Sequence, residues 1–260
     1  MGEIDTATVA TPARARHCVS LLDVQIEFGT HPDNALFLAL LAAIAAGLLA
    51  TGPMLRDALW LGLGLLVFIP QEYFTHVHLL HRRLPRTQRV YEWFYRLHYG
   101  HHDHPRRHDL MYMPAWLTLP MMAANIAALW LVTPDTRAFA AAYGGALLGY
   151  IVFEFSHLLC HVPYAPGSRL WKQVRALHLL HHFSDERAGF SVAPWSLFMD
   201  RAMGTAIQRD AAPRSATCRH LGLPADHAWL AAARARYAGN SNGDATGSRL
   251  WQRTQRNTRP

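Results

Sequence analysis

Lysine is almost missing from this 260-residue chain: Lys172 is the only one, so the formal charge of +7 rests on arginine. Cysteine is scarce too. Cys18, Cys160 and Cys218 are odd in number, widely spaced and without a C-x-x-C pair, which excludes a disulfide framework and a zinc ribbon. Charged residues make up 17% of the chain against 51% hydrophobic, too apolar a balance for an ordinary soluble domain. No charged start leads into an apolar run and a small-residue cleavage site, so no secretory signal is expected. The preference for Ala and Arg over Ile and Lys points to a GC-rich bacterial genome and hence to a bacterial inner membrane as the setting.

What the chain does have is apolar runs and histidine. The runs cover residues 35–51, closed by Gly52-Pro53, then 58–74, interrupted by Pro70, then 114–133 and 138–159. Crossing the hydrocarbon core takes about 20 apolar residues. The last two runs are long enough alone and the first two borrow flanking residues. Backbone groups in lipid must pair within their own segment, so all four are expected to be helices. The fold class is therefore all-α: an integral membrane four-helix bundle of two hairpins, with short turns at 52–57 and 134–137. Of the 25 basic residues only Arg56 and Arg137 lie in those turns, and the rest fall in the N-terminal arm, the 76–112 loop and the C-terminal region. The positive-inside rule then places both termini and the long loop in the cytoplasm. The expected organisation is a loose cytoplasmic arm over 1–33, with one amphipathic turn near 21–28. A membrane domain over 34–238 follows, ending in an amphipathic helix over 224–238 with Trp229 and Leu230 on one face. A disordered basic tail over 239–260 closes the chain. The tail lacks any aromatic-basic recognition fold, so nucleic acid is not expected as a partner; lipid headgroups are.

Seventeen histidines are a large excess, and ten fall into four short clusters. These are His76 and His81; His98, His101 and His102; His157 and His161; and His178, His181 and His182. Residues three and four apart share a helix face, so each H-x2-HH set is expected to point one way. His76 and His81 are five apart and need a helix end or bulge to converge. Neutral imidazole suits iron, zinc and copper. Ten imidazoles are too many for one ion and suit two ions with about five each, in a histidine-rich cap on the cytoplasmic side of the bundle. The Glu and Glu-x-x-His ligands of a soluble di-iron bundle are lacking. Glu72, Asp103, Glu154 and Asp185 are instead expected to orient imidazole N–H groups from behind. His17, His31, His78, His104, His108, His220 and His227 are read as non-ligands, and Cys160 as a packing residue.

The spacing H-x4-H, H-x2-HH, H-x3-H, H-x2-HH resembles the membrane fatty acid hydroxylase and sterol desaturase superfamily. Glu72-Tyr73 ahead of His76, Gly100 inside the second cluster, and the stretch RAGFSVAPWSLFMDRAMGT after the last one extend the resemblance over about 58–206. Leu177 departs from it, standing where some hydroxylases carry another histidine. The resemblance implies a di-iron centre on the ten clustered histidines, with O2 as co-substrate; zinc can occupy such sites in purified protein. It further implies a lipid substrate with a long aliphatic chain, oxidised at an unactivated C–H bond by hydroxylation in preference to desaturation. Electrons would come from an external donor, a ferredoxin or cytochrome b5-like protein with its reductase. No fused cytochrome b5-like domain is read here, because His31-Pro32 continues as Asp33-Asn34 instead of that domain's glycines. Arg106, Arg107 and Arg175 are the candidate docking residues for the donor. Leu66, Phe68, Leu119, Ile151 and Phe155 are the candidate walls of a substrate tunnel. A sterol-type desaturase is the alternative within the superfamily. A membrane metal transporter and a zinc-dependent lipid hydrolase are the alternatives outside it.

Overall fold

A computed structural model describes residues 19–81, 84–207, 215–238 and 250. Every regular element among them is a helix. Helix α1 (Leu21–Thr30) opens on a reciprocal cap: Ser20 Oγ accepts from the Asp23 N–H at 3.1 Å, and the Asp23 carboxylate accepts from the Ser20 N–H at 3.1 Å. Its Val24 and Phe28 are buried, and Phe28 meets the Phe155 ring edge-on at 5.3 Å. The expected loose arm is thus a packed helix from residue 21 on, because Leu21, Val24 and Phe28 recur at helical spacing and form an apolar stripe. One residue, His31, separates it from α2 (Pro32–Ala50), so the expected boundary at 33 falls inside a helix. Residues 1–18 and the 239–260 tail, Leu250 apart, lie outside the described residues; Leu250 itself is buried in the main core.

Helix α3 (Leu55–Phe74) continues as a π-helical turn over Thr75–Leu80. Next come α4 (Gln88–Phe94), a second π turn over Tyr95–Tyr99, and the short helices α5 (Gly100–Asp103) and α6 (His108–Met111). Then come α7 (Ala115–Val132), α8 (Thr136–His161), α9 (Arg169–Phe183), α10 (Leu197–Ala202) and α11 (Ala228–Ala238). Four segments are long and apolar enough to cross a membrane: Pro32–Ala50, Leu55–Leu80, His108–Val132 and Thr136–His161. The chain is a multi-pass, all-helical membrane protein. Helix α11 begins at Ala228, four residues later than the sequence pattern suggests. Its Leu230 is buried and its Trp229 packs at 6.2 Å from Tyr91.

The centre of the bundle is α8, whose face of small residues lets neighbours approach to backbone contact. A Cβ built on Gly145 would stand 1.9 Å from the Leu61 carbonyl oxygen, and one on Gly64 would stand 1.8 Å from that of Ala142. Gly145 and Gly149 form a G-x3-G pair, the spacing that allows membrane helices to touch. Helix α2 also packs chiefly on α8, with Ile44 against Gly144. The two short connections are present, but the main packing runs across the hairpins and not within the first of them. Arg137 ties the two turns together: it donates to the Asp57 carboxylate at 2.8 and 2.6 Å, to Thr51 Oγ1 at 2.6 Å and to the Gly52 carbonyl at 2.5 Å.

Candidate metal centre

The second and fourth spans run in the same direction, so the histidines at their ends, His76 and His157, come to one end of the bundle. There α4 to α6 and α9 to α11 form a cap. The problem of His76 and His81 is solved by the first π turn. Its i→i+5 bonding, seen in the His81 N–H donating to the His76 carbonyl at 2.9 Å, brings residues five apart onto one face. A second π turn delivers His98 in the same way.

All ten clustered histidines converge, and they do so as two groups. In one, His98 Nε2 lies 3.2 Å from His76 Nε2, 2.8 Å from His81 Nε2 and 3.1 Å from His102 Nε2, while His181 Nε2 lies 3.1 Å from His81 Nε2. In the other, His101 Nε2 is 2.8 Å from His157 Nε2, and His178 Nε2 is 2.8 Å from His161 Nε2 and 3.1 Å from His182 Nε2. The expectation that each H-x2-HH set points one way is corrected here. The i, i+4 pairs His98/His102 and His178/His182 do stay together. The histidine between them crosses over: His101 joins the second group and His181 joins the first. Adjacent residues on a helix diverge by about 100°, and the groups are close enough for that to suffice. His102 and His182, one from each, stack at 4.1 Å.

This arrangement fits metal ions. Two nitrogens held about 2.1 Å from one ion and at right angles lie about 3 Å apart, the spacing found here. Hydrogen bonding alone does not account for it, because one ring proton on His98 cannot satisfy three Nε2 neighbours. Three rings have their tautomer fixed from behind. The Nδ1–H groups of His76, His102 and His181 donate to the carbonyls of Phe190 at 2.6 Å, Cys218 at 3.0 Å and Ala188 at 2.8 Å, leaving lone pairs on Nε2. All three rings belong to the first group. In the second, His101, His178 and His182 bury Nδ1 with no protein partner. Burial, and after it the neighbouring imidazoles, hold His98, His101, His102, His178 and His182 well below the ordinary histidine range. Burial pushes His181 down to about 4. Neutral rings are the form that binds metal.

Of the expected acids, Glu72 acts one step further back than the sequence suggested. Glu72 Oε1 accepts from the Val192 and Ala193 N–H groups, both at 3.0 Å, and from Ser196 Oγ at 2.8 Å. Asp200 accepts from the Phe190 and Ser191 N–H groups at 2.9 Å each. Together they clamp the loop whose Ala188 and Phe190 carbonyls receive His181 and His76. A buried carboxylate meets loop N–H groups that have no helical partner, and these outcompete a ring. Glu154 Oε1 accepts from Tyr150 Oη at 3.1 Å and the Met113 N–H at 3.4 Å, and Asp185 pairs with Arg187 at 2.9 Å. None of Glu72, Glu154 and Asp185 bonds an imidazole, and the only imidazoles that Asp103 meets are His104 at 3.3 Å and His220 at 4.0 Å, neither of them a clustered histidine.

The cap supports the site through Asp103, the fourth of the expected acids, which meets an arginine and a tyrosine in place of a clustered histidine. Asp103, next to His102, is buried; it takes Arg234 of α11 on both oxygens at 2.7 Å and Tyr95 Oη at 2.8 Å. Arg219 donates to the His102 carbonyl at 2.9 Å and to the Asp103 carbonyl. The candidate docking arginines are partly committed within the fold: Arg107 to Asp109 at 2.6 Å, and Arg175 to the Tyr164 carbonyl. The non-ligand histidines stay out of both groups; His78 stacks on Phe74 and His108 faces Glu27 at 3.2 Å. His17 lies outside the described residues.

A narrow apolar slot runs between α3, α7 and α8, lined by Phe68, Met121, Asn125, Tyr143, Ala146 and Tyr150 among others, and it reaches His76. It shares His76, Leu80, Met113 and Phe153 with a smaller chamber walled by His98 and His157. The slot therefore ends on one histidine group and its chamber on both. Of the five tunnel residues expected from sequence, Phe68 lines the slot. Leu66 and Leu119 are 63% and 52% exposed on the outer surface. Ile151 and Phe155 pack in the core against α1 and α2 neighbours. Hydrophobicity alone cannot separate the lipid-facing side of a membrane helix from its slot-facing side.

Fold and site together define a helical membrane protein with two adjoining histidine groups at one end that could hold metal ions, and an apolar slot leading to them. The fatty acid hydroxylase family model matches residues 61–205, more than half of the chain, and the chain belongs to that family. Among curated relatives, it is 28% identical over 150 residues to the ceramide very long chain fatty acid hydroxylase SCS7 of Saccharomyces cerevisiae, covering 57% of this chain and 38% of that one. It is 31% identical over 137 residues to the dihydroceramide fatty acyl 2-hydroxylase FAH2 of Arabidopsis thaliana, covering 49% and 54%. The chain thus spans about half or less of the length of these relatives. In fold it matches the visible hydroxylase domain of full-length scs7p with a TM-score of 0.60 at 23% identity, over 76% of this chain and 70% of that one.

Proposed function

We propose that this chain hydroxylates a long aliphatic chain of a membrane lipid, using O2 and two iron ions held by the ten clustered histidines. The balance is RH + O2 + 2e⁻ + 2H⁺ → ROH + H2O, the electrons coming from an external ferredoxin or cytochrome b5-like donor and its reductase. Bound irons would supply O2 reduction and attack on the unactivated C–H bond. The observation that carries the reading is the apolar slot that starts among the spans and ends on His76, where it adjoins a chamber walled by His98 and His157.

The chain's own residues account for the rest. His76, His81, His98, His102 and His181 would hold one ion, and His101, His157, His161, His178 and His182 the other. The carbonyls of Phe190, Cys218 and Ala188 keep three of those rings aimed. Phe68, Met121 and Ala146 give the alkyl chain a dry path and hold it against the centre. The slot wall, with two buried glutamates but no lysine or arginine, suits a hydrocarbon tail. A transporter reading fits less well, since its ligands belong near the bilayer midplane and these sit at the ends of the spans. A zinc hydrolase needs about three protein ligands and an open position, far fewer than are gathered here. The relatives named as hydroxylases favour hydroxylation over desaturation.

The test is expression under 18O2 with metal and lipid mass analysis, beside a His178→Ala/His182→Ala double variant. One 18O in a lipid chain, lost in the variant, together with iron in the purified protein, is the expected result. A new double bond without 18O would move the chain to desaturation. The same product formed anaerobically would overturn the reading.

A further inference from the structure

Most described arginines are engaged. Arg56, Arg96, Arg107, Arg137, Arg175, Arg187, Arg219, Arg234 and Arg236 each hold a carboxylate or a carbonyl. Among the described basic residues, the side chains of Arg86, Arg89, Arg169, Lys172 and Arg201 show no hydrogen bond or ion pair. Three of these five, Arg169, Lys172 and Arg201, surround one open groove of about 1020 Å³ between the first turns of α9 and helix α10. Lys172 is the chain's single lysine. The groove's one acid, Asp200, has its oxygens filled by the Phe190 and Ser191 N–H groups and Thr205 Oγ1. Three cations face one carboxylate that is already bonded to neutral donors, so the groove keeps a net positive charge.

The groove's height in the membrane follows from its attachments. Ser196, the residue before α10, bonds Glu72 in the last turn of α3, and Tyr73 Oη lies 2.7 Å from Thr205 Oγ1. The groove is thus level with the histidine end of the second span, where headgroups meet hydrocarbon. Leu170 and Phe198, each next to a residue lining the groove, are 47% and 54% exposed. A basic rim set beside exposed apolar side chains matches a phospholipid better than an acidic protein or a free ion. The phosphate meets the cations and the acyl chains meet the apolar residues.

We propose that this groove is a binding site for one anionic phospholipid of the leaflet at the histidine end, separate from the slot that leads to the histidines. The two share no lining residue. The site does not depend on the oxidation chemistry proposed above and is tested without it.

The full-length protein, purified in mild detergent, is titrated with phosphatidylglycerol and with phosphatidylcholine and followed by native mass spectrometry. The comparison is between the wild type, an Arg169→Gln/Lys172→Gln/Arg201→Gln variant and an Arg86→Gln/Arg89→Gln control. Helical content and metal content report that each variant is folded. The wild type and the control should hold one phosphatidylglycerol about tenfold or more tighter than phosphatidylcholine, and the groove variant should lose that preference. An unchanged preference in the folded groove variant overturns the proposal. So does displacement of phosphatidylglycerol by millimolar inorganic phosphate, which would assign the groove to a free anion. Loss of binding to an acidic ferredoxin in the groove variant, with lipid preference intact, would reassign it to a protein partner.

Discussion

His101 and His102 are neighbours in the chain yet belong to different histidine groups: His101 Nε2 sits 2.8 Å from His157 Nε2, and His102 Nε2 sits 3.1 Å from His98 Nε2. His181 and His182 divide in the opposite sense. Each group so takes two histidines from the end of a span, an i, i+4 pair from the cluster that follows, and one crossed-over ring from the other half of the chain. The halves cannot be separated without breaking both groups.

That exchange sets the outcome of paired alanine substitutions. His101→Ala/His178→Ala removes two rings from one group and should leave about half of the bound metal. His98→Ala/His178→Ala removes one ring from each and should lower the occupancy of both. Metal per chain, measured after a fixed exposure to chelator, distinguishes the two patterns.

The groups also differ in support. Three rings of the first are braced by backbone carbonyls, while His101, His178 and His182 have no protein partner at Nδ1. Loss of such bracing typically costs about 10–100-fold in metal affinity. Chelation of the loaded protein should be biphasic, and the fast phase should be the one that His182→Ala abolishes. A single phase, or a fast phase removed by His76→Ala instead, would contradict this.

Removal of Arg234 leaves the buried Asp103 carboxylate unpaired on one side. Arg234→Met should destabilise the cap by about 1–3 kcal/mol, less than for a fully buried pair because Arg234 is part-exposed. It should also loosen the metal held through His102. An added Asp103→Asn should restore part of the stability, read by thermal unfolding in detergent.

Backbone contact between α3 and α8 makes Gly145 intolerant of a methyl group. Gly145→Ala should cost about 1–3 kcal/mol. Gly62→Ala, with nothing within 4 Å of the added carbon, should be neutral or stabilising by up to about 1 kcal/mol. Equal effects at both positions would argue against the close approach.

Within the slot, Ala146→Phe should shorten the preferred lipid chain and Tyr143→Ala should lengthen it. Leu66→Trp on the lipid-facing surface should change nothing. Chain-length profiles of the oxidised lipids check all three.

The four spans, their helical state and the ten clustered histidines follow from sequence alone, because each is a local property. Apolar runs of this length have no other stable form in lipid, and four short boxes in order leave little doubt about which rings gather. The partition of those rings was not legible, since same-face arithmetic treats each cluster as a unit and the crossing of His101 and His181 needs two clusters side by side. The actual partners of Glu72 and Asp103 were hidden for a similar reason: Val192 and Arg234 are more than a hundred residues away in the chain. Slot walls and lipid-facing walls carry the same residue types, so only the packing of α3, α7 and α8 could tell Phe68 from Leu66. Local pattern determined which elements form and which residues carry the chemistry; their pairing, bracing and access were decided by contacts that exist only once α8 has brought the two halves together.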